Sequence, residues 1–165
     1  MNRRMWDGGA NRRQRGFTLI ELLVVIVVIG ILAGITMIGA NRFQMEARDA
    51  RRVASISVIA ESLEKYYDQN GEYPNCGSIS VSGVTVSTNT LKGIDTSVLI
   101  TPGAPSGTTN SVGCSVIATT GNDVFQYTSE GSPACTNNTG GCLRYTLRYK
   151  SESENIILQL TSRRR

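Results

Sequence analysis

The hydrophobic pattern divides the chain into three stretches. From Phe17 to Ala40 it reads FTLIELLVVIVVIGILAGITMIGA, 24 positions with 15 Leu, Ile, Val or Phe residues and one charge, at Glu21. As a helix this run measures about 36 Å, longer than the ~30 Å hydrocarbon core of a bilayer, and predicts a membrane-spanning segment. On an insertion scale its aliphatic residues contribute roughly −5 to −9 kcal/mol, against about +3 for a central acid. From Asn41 the pattern turns amphipathic. Val53, Ile56, Ala60, Leu63 and Tyr67 recur at spacings of 3, 4, 3 and 4, which is one stripe of a helix. Glu61 and Lys65 are placed for an i, i+4 ion pair. No proline interrupts Phe17 to Tyr73, and Asn70-Gly71 before Pro74 supplies a stop. One helix is therefore predicted from Phe17 to about Gln69, roughly 80 Å long.

The third stretch is built of short elements. Ile79 to Ser87 alternates around Ser82-Gly83 and predicts a small hairpin. Leu91 to Ile100 holds one helical turn before Pro102, and Ser106 to Gly113 is loop. Val124 to Thr128, Cys142 to Lys150 and Asn155 to Thr161 read as strands. Leu143, Tyr145, Leu147 and Tyr149 alternate with polar residues, so one face is buried and one is wet. The Ser151–Glu154 turn makes the last two strands an antiparallel pair. The expected fold class is α+β: a long N-terminal helix, amphipathic in its outer half, packed on a small antiparallel sheet with disulfide-stapled loops. The boundaries are a basic leader at 1–16, an apolar helix at 17–40, its amphipathic continuation and a loop at 41–74, and a β-rich part at 75–165.

Charge orients the apolar segment. The leader holds five of the 17 basic and one of the 13 acidic side chains, so the remaining 12 and 12 cancel. The basic balance thus reports an N-terminal tag and no nucleic-acid partner. Five arginines ahead of the run place the N-terminus in the cytoplasm and the rest outside. A secretory signal peptide would have an apolar core of only about 7–15 residues, followed by a small-residue cleavage site; here the small residue, Gly16, comes first. Arg163-Arg164-Arg165 reads as a solvated tail. Arg48, Arg51 and Arg52, mixed with Glu46 and Asp49, read as a solvated or intersubunit ion-pair face.

Candidate chemistry is sparse. There is no histidine, the commonest general base and metal ligand. No nucleophile with a base, paired carboxylates, phosphate loop or dinucleotide fingerprint occurs, so neither an enzyme nor a cofactor is expected. The four cysteines, Cys76, Cys114, Cys135 and Cys142, fit two disulfides in an oxidising compartment and allow three pairings. Cys135–Cys142, closing a short Gly/Asn-rich loop, with Cys76–Cys114, tethering the loop after the helix, is the preferred set. A four-cysteine zinc site lacks the paired C-x-x-C spacing. Asn137-Asn138-Thr139 fits a glycosylation pattern. Asp123 and Glu130 are loop acids without a cluster that would hold calcium.

Glu21 is the odd residue. An ionisable group in an apolar span is a functional-site hypothesis, because burying it unpaired is costly. The first downstream cation, Arg42, lies about 30 Å away along a helix. A free ammonium on Phe17 of a neighbouring subunit, created by a cut after Gly16, would neutralise Glu21 and set an axial register.

Arg15-Gly16-Phe17-Thr18-Leu19-Ile20-Glu21 ahead of a long apolar run resembles the prepilin cleavage and methylation signature of type IV pilins, type II secretion pseudopilins and competence pilins. Ala47–Arg52, Leu63–Tyr67 and Asn70–Pro74 are similar to the same group, so the resemblance covers Arg15 to Pro74. It implies that a prepilin peptidase cuts between Gly16 and Phe17 and methylates the Phe17 nitrogen. Glu21, then the fifth residue, becomes the assembly glutamate. It further implies storage in membrane lipid, handling by an inner-membrane assembly platform and its ATPase, and self-association into a helical filament. The destination is a cell-surface pilus or a periplasmic pseudopilus, with nucleic acid a partner only in a competence pilus. The leader is long for the common pilin class. Many members also carry a proline midway through the apolar helix. Here Gly30, Gly34 and Gly39 offer packing or flexibility instead, the first two as a GxxxG pair. The reading is a structural filament subunit. The alternatives are a secretion pseudopilin, a competence or minor pilin, and a membrane-anchored adhesin.

Overall fold

The computed structural model describes residues 16–115, 123–131, 135 and 141–164, with backbone only for 36–40. The elements are α1 (Leu19–Asn70), α2 (Cys76–Ile79), α3 (Gly83–Thr85), a π turn (Val86–Thr90), a 3-10 turn (Thr96–Leu99), and strands β1 (Val112–Gly113), β2 (Phe125–Glu130), β3 (Arg144–Lys150) and β4 (Ile157–Thr161). Helix α1 runs 52 residues. It ends where Gly71 turns left-handed at φ 77°, a conformation open to glycine without a Cβ penalty.

The chain divides into two compact units, Met1–Ala40 and Asn41–Arg165. In the first, every described side chain from Phe17 to Ile35 is exposed. Among the described residues no helix is long and apolar enough to cross a membrane. The membrane pass over Phe17–Ala40 therefore rests on the sequence.

In the second unit one face of α1 packs on the sheet. Ile56, Ile59, Ala60 and Leu63 are buried with Tyr127, Tyr145 and Leu147. The buried face is rotated from the predicted stripe. Val53 is 47% exposed, whereas Arg52, one position earlier, is 1% exposed. The Arg52 guanidinium has carboxylate partners, described below, and takes the place at which the apolar pattern put a valine. The Glu61–Lys65 ion pair does not form among the described residues.

The sheet order is β1-β2-β3-β4. Strand β1 is parallel to β2, with Val112 opposite Phe125; the two-residue β1 falls at the end of a segment that reads as loop. The other pairs are antiparallel, with Tyr127 opposite Leu147 and Leu147 opposite Leu160. Alternation holds along β3, whose Tyr145, Leu147 and Tyr149 are buried.

The hairpin expected at Ile79–Ser87 is absent; helical turns stand there instead. Asn75 caps α2 through Ser78 N, and Ser82 caps α3 through Thr85 N. Such short polar side chains satisfy the first free N–H groups of a helix and outweigh a weak two-residue alternation. Gly83 is also required sterically, since a Cβ there would lie 2.3 Å from the Thr109 carbonyl oxygen. The cysteines pair as Cys76–Cys114 and Cys135–Cys142. The first ties α2 to the residue after β1, and the second brings Cys135 to Cys142, where a bridge joins Tyr73.

Candidate assembly site

Helix α1 begins with a reciprocal cap. Thr18 Oγ1 accepts from Glu21 N at 3.3 Å, and the Glu21 carboxylate accepts from Thr18 N at 3.3 Å and from Thr18 Oγ1 at 3.2 Å. This is the T-x-x-E capping box, in which the first and fourth residues each satisfy a free backbone donor of the other. Glu21 thus has a local partner that is uncharged, and Thr18 three positions earlier is the signal that reveals it. The acid also lies at the end of the helix where the macrodipole favours negative charge. The cap orients the carboxylate at the helix start, directly after the solvent-exposed Leu19–Ile20 step.

Gly16 and Phe17 precede the cap in non-helical conformation, and Phe17 is 82% exposed. The predicted cleavage point therefore lies on accessible, non-helical chain just outside the helix. A Cβ at Gly16, Gly30 or Gly34 would meet nothing within 4 Å. These glycines are not needed for packing inside the chain, and the Gly30–Gly34 notch faces open space. Gly39 lies outside the residues whose side chains are described, as do Asn137-Asn138-Thr139 in full. Asp123 and Glu130 are both exposed and stand apart from any metal cluster: among the described residues no three His, Cys, Asp or Glu gather as ligands.

In the second unit, α1 is fastened to the β3–β4 turn by a buried ionic lock. Asp49 accepts from Glu152 N at 2.9 Å, Ser153 N at 2.9 Å, Ser151 Oγ at 2.8 Å and Ser153 Oγ at 2.7 Å. Burial raises the Asp49 carboxyl, but these donors outweigh it and hold the group far below the usual carboxylate range. Arg52 donates to Asp49 at 2.9 Å and to the Pro102 carbonyl at 2.8 Å, and pairs with Glu152. Arg48 reaches the other oxygen of Glu152 at 2.7 Å. Burial raises Glu152 too, and the two arginines reverse the shift downward. Asn155 closes the turn at φ 57°, which asparagine tolerates better than most residues. The solvated or intersubunit face expected for Arg48 and Arg52 is thus an intramolecular clamp; Arg51 alone of the three stays exposed.

In the C-terminal tail, Arg164 is likewise docked rather than free. Arg164 pairs with Asp68, lies 3.8 Å from Glu64 Oε2 and stacks 4.7 Å above the Tyr67 ring. Glu64 also accepts from Tyr73 OH at 3.0 Å and Tyr145 OH at 3.3 Å. Burial and this carboxylate push both phenols well above their ordinary value. The tyrosines themselves form a packed row, with centroids 4.6 Å apart for Tyr67–Tyr73 and 4.9 Å for Tyr73–Tyr145.

Comparison with known proteins points to the N-terminal segment. Residues 11–37 match the family model described as the prokaryotic N-terminal methylation motif. The chain is 38% identical over 63 residues to the type II secretion system core protein G of Dickeya chrysanthemi, covering 38% of this chain and 41% of that protein. It is 32% identical over 83 residues to a fimbrial protein of Neisseria meningitidis serogroup B, covering 50% and 47%. It is 32% identical over 63 residues to the type IV major pilin protein PilA of Myxococcus xanthus, covering 38% and 29%. The chain therefore spans less than half the length of these curated relatives. No solved structure matches it.

Proposed function

We propose that the chain is a type IV pilin or pseudopilin and serves as a structural subunit of a pilus or pilus-like filament, a reading supported by its match to the N-terminal methylation motif. The observation that carries the reading is that motif: Gly16 and Phe17 on exposed non-helical chain, then Glu21 at the first turn of a helix with an exposed apolar surface. Before assembly, the Phe17–Ala40 run spans the inner membrane with the arginine-rich leader in the cytoplasm. A prepilin peptidase cuts after Gly16 and methylates the Phe17 nitrogen. The assembly platform and its ATPase then draw the helix from lipid into a filament core. There the Phe17 ammonium of one subunit displaces Thr18 from Glu21 of its neighbour. Gly30, Gly34 and Gly39 allow close helix approach or local unwinding. The filament lies at the cell surface or in the periplasm.

A second reading, a type II secretion pseudopilin, is supported by the 38% identity to core protein G. The two share the processing and assembly steps. The test of both is shear fractionation of cells carrying wild type or Glu21→Ala. The wild type dominates the sheared filaments, while the variant is inserted and processed but stays in the membrane fraction. Normal filament from Glu21→Ala at native expression contradicts the assembly role. A scarce wild-type chain in otherwise abundant filaments indicates a minor or adhesive subunit.

A further inference from the structure

Beside the docked tail, the end of the sheet forms a cleft of about 390 Å³ lined by Glu130, Arg144, Thr146, Thr161, Arg163 and Arg164, among others. The topology brings its groups together. Arg144 opens β3 opposite Glu130, and Thr146 follows on the same face opposite Thr161 of β4. Ser162 and Arg163 continue from β4, and both are anchored through the backbone. Ser162 N donates to the Tyr145 carbonyl at 3.0 Å, and Arg163 N donates to Glu64 at 3.2 Å. The backbone of Arg163 is therefore anchored, and its side chain is exposed.

The charges of this cleft do not cancel. Arg164 is occupied by Asp68 and Glu64. Among the described residues Arg144 and Arg163 have no ion pair, and Glu130, the one carboxylate among the described lining residues, pairs with neither. Elsewhere the compensation is local: the depression holding Lys65 and Lys92 also holds Glu61 and Asp95. The Thr146 and Thr161 hydroxyls also line the cleft and are potential donors. Arg144, Arg163 and the two threonines line one cleft, and a guanidinium fork is the side chain suited to bidentate contact with an oxyanion.

We infer that the Arg144–Arg163 cleft binds an oxyanion: a carboxylate, sulfate or phosphate group, free or carried on a sugar. This site is independent of filament assembly. It lies in the Asn41–Arg165 unit and uses none of the residues assigned to processing or to the Glu21 contact. The test uses the full chain in zwitterionic detergent. Sodium sulfate, sodium phosphate and sodium glucuronate are each titrated against sodium chloride at matched ionic strength, with the arginine Nε–H signals followed by NMR. At least one of the three produces a saturable shift that chloride does not. The Arg144→Gln/Arg163→Gln double variant weakens it by about tenfold or more, the scale of one charge-assisted hydrogen bond. Arg148→Gln, a basic residue of the same strand outside the cleft, leaves it unchanged. Which anion saturates at the lowest concentration separates an inorganic from a sugar-borne source. Three results overturn the inference: no saturation beyond chloride, a double variant that binds like the wild type, or an equal loss in Arg148→Gln. If the double variant unfolds, Arg144→Lys/Arg163→Lys keeps the charge but loses the forks, and it must also weaken the shift.

Discussion

Glu21 sits three residues past Thr18, and that spacing gives its carboxylate a mate within its own chain. Two roles can then be separated by one substitution. Glutamine at position 21 keeps an oxygen for the Thr18 N–H, because a capping box works with Glu or Gln, but it cannot neutralise a neighbour's ammonium. Removing one partner of a buried ion pair costs about 3–5 kcal/mol, so Glu21→Gln is expected to yield almost no sheared filament, like Glu21→Ala. Filament recovered from Glu21→Gln but not from Glu21→Ala assigns the residue to capping alone. Gly16 poses the opposite case. A side chain there meets nothing within the chain, so Gly16→Phe leaves folding intact and tests recognition by the peptidase. Mass spectrometry of membranes should find a precursor that still carries its arginine-rich leader; a chain starting at Phe17 contradicts this. The motif match over residues 11–37 is readable because Gly, Phe and Glu occur at fixed spacing ahead of an apolar run, and the processing roles of Gly16 and Phe17 remain a proposal. The cap is equally readable in Thr18 and Glu21, although a hunt for charge alone hides an uncharged partner.

Helix α1 and strands β2 to β4 follow from periodicity, because each buries one face over several turns or pleats. Arg52 does not follow, since a charged residue scores as outward when one of its partners, Glu152, lies 100 residues away in sequence, although Asp49 is only three positions earlier. The short helices at Cys76–Ile79 and Gly83–Thr85 escape for a related reason: single caps decide them, and no repeating pattern announces them. The Asp49 lock makes the β3–β4 turn depend on one carboxylate. Asp49→Ala strands the Glu152 and Ser153 N–H groups and leaves Arg52 short of a partner, so stability should fall by about 1–3 kcal/mol, read from the urea midpoint at constant slope. The lock also has a pH signature. The Asp49 carboxyl lies lower in the folded than in the unfolded chain, so its stabilisation is full above about pH 4. It is lost as pH falls from there through the folded value. Glu152 contributes with the same sign. Between pH 5 and 2, about the window set by these carboxylates, wild type should lose more stability than Asp49→Asn. Parallel curves for the two proteins contradict the lock.

Across the whole molecule, the sequence separates an apolar unit with no core of its own from a small α+β unit that needs staples. Both disulfide pairs occur as preferred from the lengths of the loops they close. Cys76–Cys114 spans 38 residues and Cys135–Cys142 spans 7. Loop-closure entropy gives about 4 and about 2 kcal/mol for these bonds. Replacing the first pair by serines should therefore lower the thermal midpoint more than replacing the second, and equal losses would show that strain or residual structure outweighs loop length. The docked C-terminal tail was not legible, because three consecutive arginines look solvated until α1 supplies Glu64, Asp68 and the Tyr67 face. The central claim is that this chain works as a processed filament subunit whose new N-terminus meets Glu21. Its most direct test is the intact mass of the chain recovered from sheared surface or periplasmic filaments. A subunit beginning at Phe17 with one added methyl group on its nitrogen is the predicted result. A subunit that retains Met1 to Gly16 contradicts it.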